Sequence, residues 1–157
     1  MFSEEELQKV QEIRSHYPTN LAAVMGVLHI AQDKWGYISE ETIRYVAGVL
    51  DIPEENVLGV VTFYEMYHQH PVGKYTLHVC TNVSCMLCGS DMVLKTIADK
   101  IGCGIGEMTE DGLFSVHEAE CLGACGGAPM MSVNKTYHEH LTPEKINAIL
   151  DELKAKG

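Results

Sequence analysis

Basic side chains are scarce in this sequence. Its 157 residues include 11 Lys and Arg against 22 Asp and Glu, which gives a formal net charge of −11 when the histidines are neutral. Proteins that bind DNA or RNA need clustered Lys and Arg to neutralise the phosphates. The shortage therefore argues against a nucleic-acid partner, and the acidic surface by itself indicates solubility rather than a specific function.

Long hydrophobic runs are also missing. The longest apolar stretch, residues 21–30, is about half the length needed to span a bilayer, and Gln32, Asp33 and Lys34 follow it closely. The first residues are acidic, unlike a secretory signal or an Arg-rich transit peptide. We therefore expect a cytoplasmic chain that does not insert into a membrane and meets one only through partner proteins.

The spacing of apolar residues changes near position 70, which indicates two parts. Residues 1–70 follow a helical period, whereas residues 71–157 alternate β-prone runs with helical stretches. The pattern predicts helices near 3–17, 20–35, 39–50, 53–67 and 86–101, strands near 74–80, 113–118, 130–133 and 137–141, and a last helix after Thr142. We predict an α+β protein in which an N-terminal helical bundle (1–70) precedes a small α/β domain (71–157).

Two pairs of closely spaced cysteines are the most informative feature. Four residues separate Cys80 from Cys85, and three separate Cys121 from Cys125. Zinc knuckles usually have two residues between their cysteines, whereas thiolates from two separate loops are typical of an iron–sulfur cluster. Structural disulfides are not expected in a reducing compartment. The spacing favours a cluster over zinc, and a cluster implies one-electron chemistry.

Glycines accompany both cysteine pairs. Gly89 follows the first pair, and Gly123, Gly126 and Gly127 lie within or just after the second. Because glycine lets the backbone approach closely, we expect backbone N–H groups to point at the sulfurs and to stabilise their negative charge.

Spacing alone also allows a different set of four cysteine ligands. Cys80, Cys85 and Cys88 match the spacing of plant-type ferredoxins, with Cys121 as the distant fourth ligand. This set gives no role to Cys125. We therefore expect Cys88 to be a core residue or a neighbour of the ligands, and Cys103, alone in a glycine-rich loop, to be no ligand.

Two other functional classes compete with an electron carrier. Cys85 and Cys88 form a Cys-x-x-Cys at the start of a predicted helix, as in dithiol–disulfide oxidoreductases, where the helix dipole lowers a thiol pKa. That interpretation leaves Cys80, Cys121 and Cys125 unexplained. The third class is a zinc module that acts as an assembly adaptor, which a colourless protein would indicate.

Several motifs together resemble one known family. They run along nearly the whole chain: Trp35-Gly-Tyr-Ile38, the segment 57–64, Cys80-x4-Cys85, Cys121-Leu-Gly-Ala-Cys125 with Pro129 close behind, and His140-Leu-Thr-Pro143. The sequence resembles the thioredoxin-like [2Fe–2S] ferredoxin subunit of NADH:quinone oxidoreductase, respiratory complex I. The resemblance implies a thioredoxin-like α/β domain after the helical bundle.

The resemblance also implies a cofactor and partners. In the family the four cysteines that match Cys80, Cys85, Cys121 and Cys125 hold one [2Fe–2S] cluster. The helical N-terminal region lies against the flavin- and NADH-binding subunit, so FMN and NADH are expected on that partner. The chain would then belong to a membrane-associated assembly, on the cytoplasmic side of the inner membrane, with no catalytic site of its own. NAD-linked hydrogenases and formate dehydrogenases have a similar subunit and stay open as hosts.

Overall fold

The computed structural model describes residues 1–157, which form two compact units, Met1–Pro71 and Val72–Gly157. The first unit is helical and contains α1 (Glu4–Ser15), α2 (Val24–Trp35), α3 (Glu40–Leu50) and α4 (Glu54–Phe63). The second contains, in chain order, β1 (Tyr75–Cys80), α5 (Val83–Cys88), α6 (Ser90–Ile101), β2 (Phe114–Ala119), β3 (Met131–Val133), β4 (Thr136–His138) and α7 (Pro143–Ala155). No helix has both the length and the apolar character needed to cross a bilayer.

Local capping sets where several helices begin. The N–H of Glu6 donates to Ser3 Oγ at 3.2 Å and the N–H of Ser3 donates to the Glu6 carboxylate at 2.6 Å, which completes a capping box before α1. Ser39 caps α3 and Thr142 caps α7 in the same way, by accepting a bond from an N–H three residues on. These predicted starts are confirmed.

The fourth helix is shorter than predicted because the residues after it form hydrogen bonds with a residue far away in the sequence. Helix α4 ends at Phe63, not near Tyr67. The side-chain amide of Gln32 donates to the carbonyl of Met66 at 2.8 Å and accepts from the N–H of His68 at 2.8 Å. These backbone groups bond across the unit, so the helix does not continue. The predicted second helix likewise starts late, since residues 20–23 form a 3-10 turn.

The second unit is built on a mixed four-stranded sheet in the order β2-β1-β3-β4. Strands β1 and β2 are parallel, and the other two pairings are antiparallel. Along β1, Leu77 and Val79 point into the apolar core and alternate with Thr76 and His78 on the opposite face. Helices α6 and α7 contribute their apolar stripes to the same core, so one face of the sheet is covered by two helices.

The predicted helix over 86–101 is two helices. Asn82 caps α5, which therefore begins at Val83, and Gly89 with φ +105° separates α5 from α6. That left-handed backbone is readily held only by glycine. Because the break places Cys88 on the last, solvent-facing turn of α5, Cys88 is exposed, and the expectation that it is a core residue was wrong.

Gly73 lies where two backbone segments approach most closely. A Cβ added there would overlap the backbone of Phe114 and Ser115 at the start of β2, and the Gly73 N–H donates to Ser115 Oγ at 3.1 Å. We expect Gly73→Ala to lower the free energy of unfolding by about 2–3 kcal/mol, because backbone must shift to admit the methyl group. Urea denaturation would measure the loss.

Gly48 provides the matched control. It lies inside α3 with no atom near its added Cβ. Alanine there is expected to stabilise the chain by about 0.5–1 kcal/mol, since glycine is a poor helix former. Equal stabilities for the two variants would contradict the close approach at Gly73.

Candidate metal centre

The sheet topology brings the two cysteine pairs to one edge. Cys80 is the last residue of β1, and its partner across the parallel β1–β2 pairing is Ala119, near the end of β2. Parallel strands leave a sheet at the same edge. The chain that leaves β2 therefore carries Cys121 past the end of β1, although 40 residues of sequence lie between the two cysteines.

The second member of each pair is placed by a short turn of helix. Cys85 lies in α5 and is only 2% exposed, while Cys125 begins a 3-10 turn over Cys125–Gly127. Cys80 and Cys85 pack with the fully buried Met130 in a small apolar cluster. Cys121 and Cys125 are exposed. The site thus has a buried side and a side that faces solvent.

Cys80 connects the two cysteine pairs. The Cys80 thiol makes hydrogen bonds with the thiols of Cys85 and Cys121, and Cys85 also lies within electrostatic reach of Cys125. All four are free of disulfides. As arranged here, no three His, Cys, Asp or Glu side chains gather around a single point where one metal ion would sit.

Backbone N–H groups point at the sulfurs, as the glycine-rich loops predict. The N–H of Gly123 donates to Cys121 Sγ at 3.4 Å. The N–H groups of Asn82 and Leu122 donate to Cys80, and that of Met130 donates to Cys85. Donors of this kind stabilise negative charge on sulfur.

These contacts shift the pKa values of the two buried thiols in opposite directions. Burial raises the pKa of Cys80, but the N–H groups of Leu122 and Asn82 and the neighbouring thiols outweigh it, so this pKa lies below its ordinary value. Burial and the adjacent Cys80 raise the pKa of Cys85. Of the two thiols, Cys80 therefore loses its proton more readily, and a metal group bound at both sulfurs would displace the proton on Cys85.

Asn82 ties the two cysteine loops together. Its side-chain Nδ2 donates to the carbonyl of Glu120 at 2.9 Å, while its Oδ1 accepts from the N–H of Val83 at 2.8 Å and so caps α5. Sequence analysis missed this residue. An Asn directly before a helical stretch is a typical N-cap, so the cap was visible in the sequence, but the bond to Glu120 was not.

The glycines of the second loop serve different purposes. Gly123 has φ +74°, a conformation that favours glycine. A Cβ on Gly127 would lie 2.5–2.7 Å from atoms of the Glu139 side chain. Gly127 therefore permits close packing against Glu139, a contact within the protein that the sequence did not reveal. The Ala128–Pro129 peptide that follows is cis.

The remaining cysteines lie outside the four-thiol group. Cys103 is buried in the core between the sheet and helices α6 and α7, apart from the small cluster that holds Cys80 and Cys85. Cys88 is exposed one turn after Cys85 in α5. A reactive Cys-x-x-Cys needs an accessible thiol with a lowered pKa near the helix start, whereas Cys85 is buried and its burial raises its pKa, which argues against the Cys85/Cys88 dithiol alternative.

Comparison with known proteins identifies the family. The model of the thioredoxin-like [2Fe–2S] ferredoxin family matches residues 10–154, most of the chain. The chain belongs to this family. The predicted family, its fold class and its cofactor, one [2Fe–2S] cluster, are thereby confirmed.

Curated relatives cover the whole length of the chain. It is 40% identical over 156 residues to an NADH-quinone oxidoreductase subunit of Rickettsia bellii (strain RML369-C), covering 98% of this chain and 93% of the relative. It is 36% identical over 148 residues to the corresponding NADH-quinone oxidoreductase subunit of Rhizobium meliloti (strain 1021), covering 94% and 88%. The relatives and this chain are therefore of similar extent.

Solved structures show the same fold. A chain of the NAD+-reducing [NiFe]-hydrogenase in the air-oxidised state superposes with a TM-score of 0.75 over 85% of this chain, at 19% identity. The H2-reduced state gives the same score and identity. This chain spans 23% of the hydrogenase chain's length, so the likeness supports the α+β fold and nothing more.

Proposed function

We propose that this chain is the electron-transfer subunit of an NADH-quinone oxidoreductase. The observation that carries the proposal is the parallel pairing of β1 with β2, which brings two cysteine pairs from loops 40 residues apart to one edge of the sheet, in a member of a [2Fe–2S] family. Its relatives at 36–40% identity are named as subunits of that enzyme. The NADH dehydrogenase activity would belong to the complex, with no catalytic site on this chain.

The proposed ligands are Cys80, Cys85, Cys121 and Cys125. A [2Fe–2S] cluster takes two protein ligands on each iron, so four free cysteines in two closely spaced pairs match the donor set in number and type. When bound, the cluster supplies reversible one-electron transfer. The chain's part is to ligate and bury one side of the group and to direct N–H groups at its sulfurs.

The site lies where a partner can approach. Cys121 and Cys125 are exposed, and Val83, Met86 and Leu87 form an exposed apolar face on α5 next to Cys85, with Leu87 at 78% exposure. Exposed apolar patches typically mark binding surfaces. These features support docking of a flavin-bearing partner close to the cluster, which short-range electron exchange requires.

The helical unit has an apolar surface of its own. The residues involved lie in α4 or just after it: Leu58, Phe63, Tyr64 and Met66. We propose that residues 1–70 bind the flavin- and NADH-binding subunit, in part through this patch, while residues 71–157 hold the cluster. The chain would then be peripheral on the cytoplasmic side of the inner membrane, attached through its partners.

Low-temperature EPR tests the cofactor and the electron-carrier role. Anaerobically purified protein, reduced with dithionite, is expected to give a [2Fe–2S] signal, with about two irons and two sulfides per chain. A colourless, EPR-silent sample with bound zinc would make the chain an adaptor. Absence of any metal after reconstitution would favour the thiol oxidoreductase instead.

A hydrogenase is the alternative enzyme complex for this chain. The structural neighbours are chains of an NAD+-reducing [NiFe]-hydrogenase, so this host shares the fold and is tested beside the main proposal. Purifying the native complex through a tag on this chain separates the two. NADH-driven quinone reduction by the purified complex would support the main proposal, and H2-driven NAD+ reduction would overturn it.

A further inference from the structure

One side chain connects the second cysteine loop to the edge strand of the sheet. The hydroxyl of Tyr137 in β4 donates a hydrogen bond to the carbonyl of Leu122, with 2.9 Å between the oxygens. Leu122 directly follows Cys121, so the bonded carbonyl lies between the two cysteines of the loop. The Tyr137 side chain is half-exposed, and it contacts the loop through this hydrogen bond.

That carbonyl belongs to the same peptide group as the N–H of Gly123. The Gly123 N–H donates to Cys121 Sγ at 3.4 Å. The peptide is therefore held at its oxygen by Tyr137 and at its nitrogen by the thiol. Because a peptide group is planar, fixing the oxygen fixes the direction of the N–H. A bond accepted by the carbonyl also polarises the amide and strengthens the bond that its N–H donates.

Leu122 supplies a second donor from the same stretch of backbone. Its own N–H donates to the thiol of Cys80. The next residue, Gly123, has φ +74°, a left-handed conformation that glycine adopts readily. Tyr137 thus holds directly the peptide whose N–H donates to Cys121, and the neighbouring peptide carries the Leu122 N–H.

We propose that Tyr137 is a positioning residue that raises the reduction potential of the cluster by orienting the peptide between Leu122 and Gly123 toward the sulfurs. The inference rests on the proposed function, since it requires Cys80 and Cys121 to be ligands. Reduction adds negative charge, which N–H donors to the sulfurs stabilise. Loss of the hydroxyl weakens these donors, destabilises the reduced state and moves the midpoint potential to more negative values.

Tyr137→Phe tests the proposal because it keeps the ring and removes only the hydroxyl. The midpoint potentials of the wild type and the variant, matched in iron content, are measured by EPR-monitored redox titration. We expect a negative shift that corresponds to a roughly three- to tenfold change in the reduction equilibrium, tenfold being about 59 mV for one electron. A purely structural role would change stability and leave the potential where it was.

Tyr75→Phe is the matched control. Tyr75 begins β1 at the end opposite Cys80, and its ring contacts Lys74 and Phe114. This variant is expected to keep the wild-type potential. A Tyr137→Phe protein with an unchanged potential, or an equal shift in both variants, overturns the proposal.

Site-specific 3-fluorotyrosine at position 137 covers the case in which Tyr137→Phe loses its cluster. Its hydroxyl is a stronger donor, so at a pH where it stays protonated the expected shift is positive. No shift, or a negative one, overturns the proposal. A wild type that binds no cluster overturns the proposed function as well, whereas a wild type with its cluster and unshifted variants overturns only the role of Tyr137.

Discussion

Serine in place of Cys125 is expected to remove most of the iron bound by this chain. Cys125 begins the 3-10 turn of the second cysteine loop, lies within electrostatic reach of Cys85, and is the proposed fourth ligand. Removing a residue that hydrogen-bonds a metal ligand lowers metal affinity roughly 10–100-fold. Removing a ligand itself should lower the affinity further. Iron and sulfide analysis of the anaerobically purified variant, with its visible absorbance, measures the loss.

Cys88→Ser is the control for this variant. Cys88 is exposed at the end of α5, so its loss should leave iron content near wild type and the fold intact. If Cys88→Ser loses its iron and Cys125→Ser retains it, the ligands are instead Cys80, Cys85, Cys88 and Cys121, as in plant-type ferredoxins.

Glutamate in place of Phe63 is expected to weaken binding of the flavin- and NADH-binding partner by at least about tenfold, since a hot-spot residue at the centre of an interface contributes about 2 kcal/mol or more. Phe63 is 77% exposed and lies edge-to-face against Tyr64 at 5.0 Å. A carboxylate buried there would lack a counter-charge. Titration calorimetry or co-purification with the partner would detect the change.

Leu21→Glu is the matched control in the same unit. Leu21 is 51% exposed in the 3-10 turn that precedes α2, outside the α4 patch. We expect it to bind the partner like wild type, and both variants to keep their full iron content. Wild-type binding by Phe63→Glu would exclude the α4 patch from the interface.

Features that depend on residues close in sequence were predicted correctly. The capping box at Ser3 and the N-caps at Ser39 and Thr142 involve bonds over three residues, and they begin helices where the pattern indicated. The α+β class followed from the change of period near residue 70, and the family match confirms it. Such features need no knowledge of what packs against them.

Features that depend on distant residues were wrong or were missed. The end of α4 depends on the distant Gln32. The break between α5 and α6 is a local exception, since it depends on the left-handed backbone at Gly89, which the helical period did not indicate. The exposure of Cys88 follows from that break. Nothing around Tyr137 in the sequence indicates its bond to Leu122, because β4 and the cysteine loop are adjacent only in the folded chain.

The sequence by itself determined the chemistry that this protein can perform. Two glycine-flanked cysteine pairs, with no basic clusters and no long apolar run, already favour an iron–sulfur protein, because ligand type and spacing are properties of the chain. Which four cysteines serve as the ligands stays a prediction, tested by the serine variants.

Only the tertiary structure decided which thiols meet and what surrounds them. The parallel pairing of β1 with β2 brings Cys80 beside Cys121. The bonds of Asn82 and Tyr137 hold the two loops with their N–H groups toward sulfur. These contacts join residues far apart in sequence and form only when the sheet assembles. Local sequence patterns therefore do not predict them.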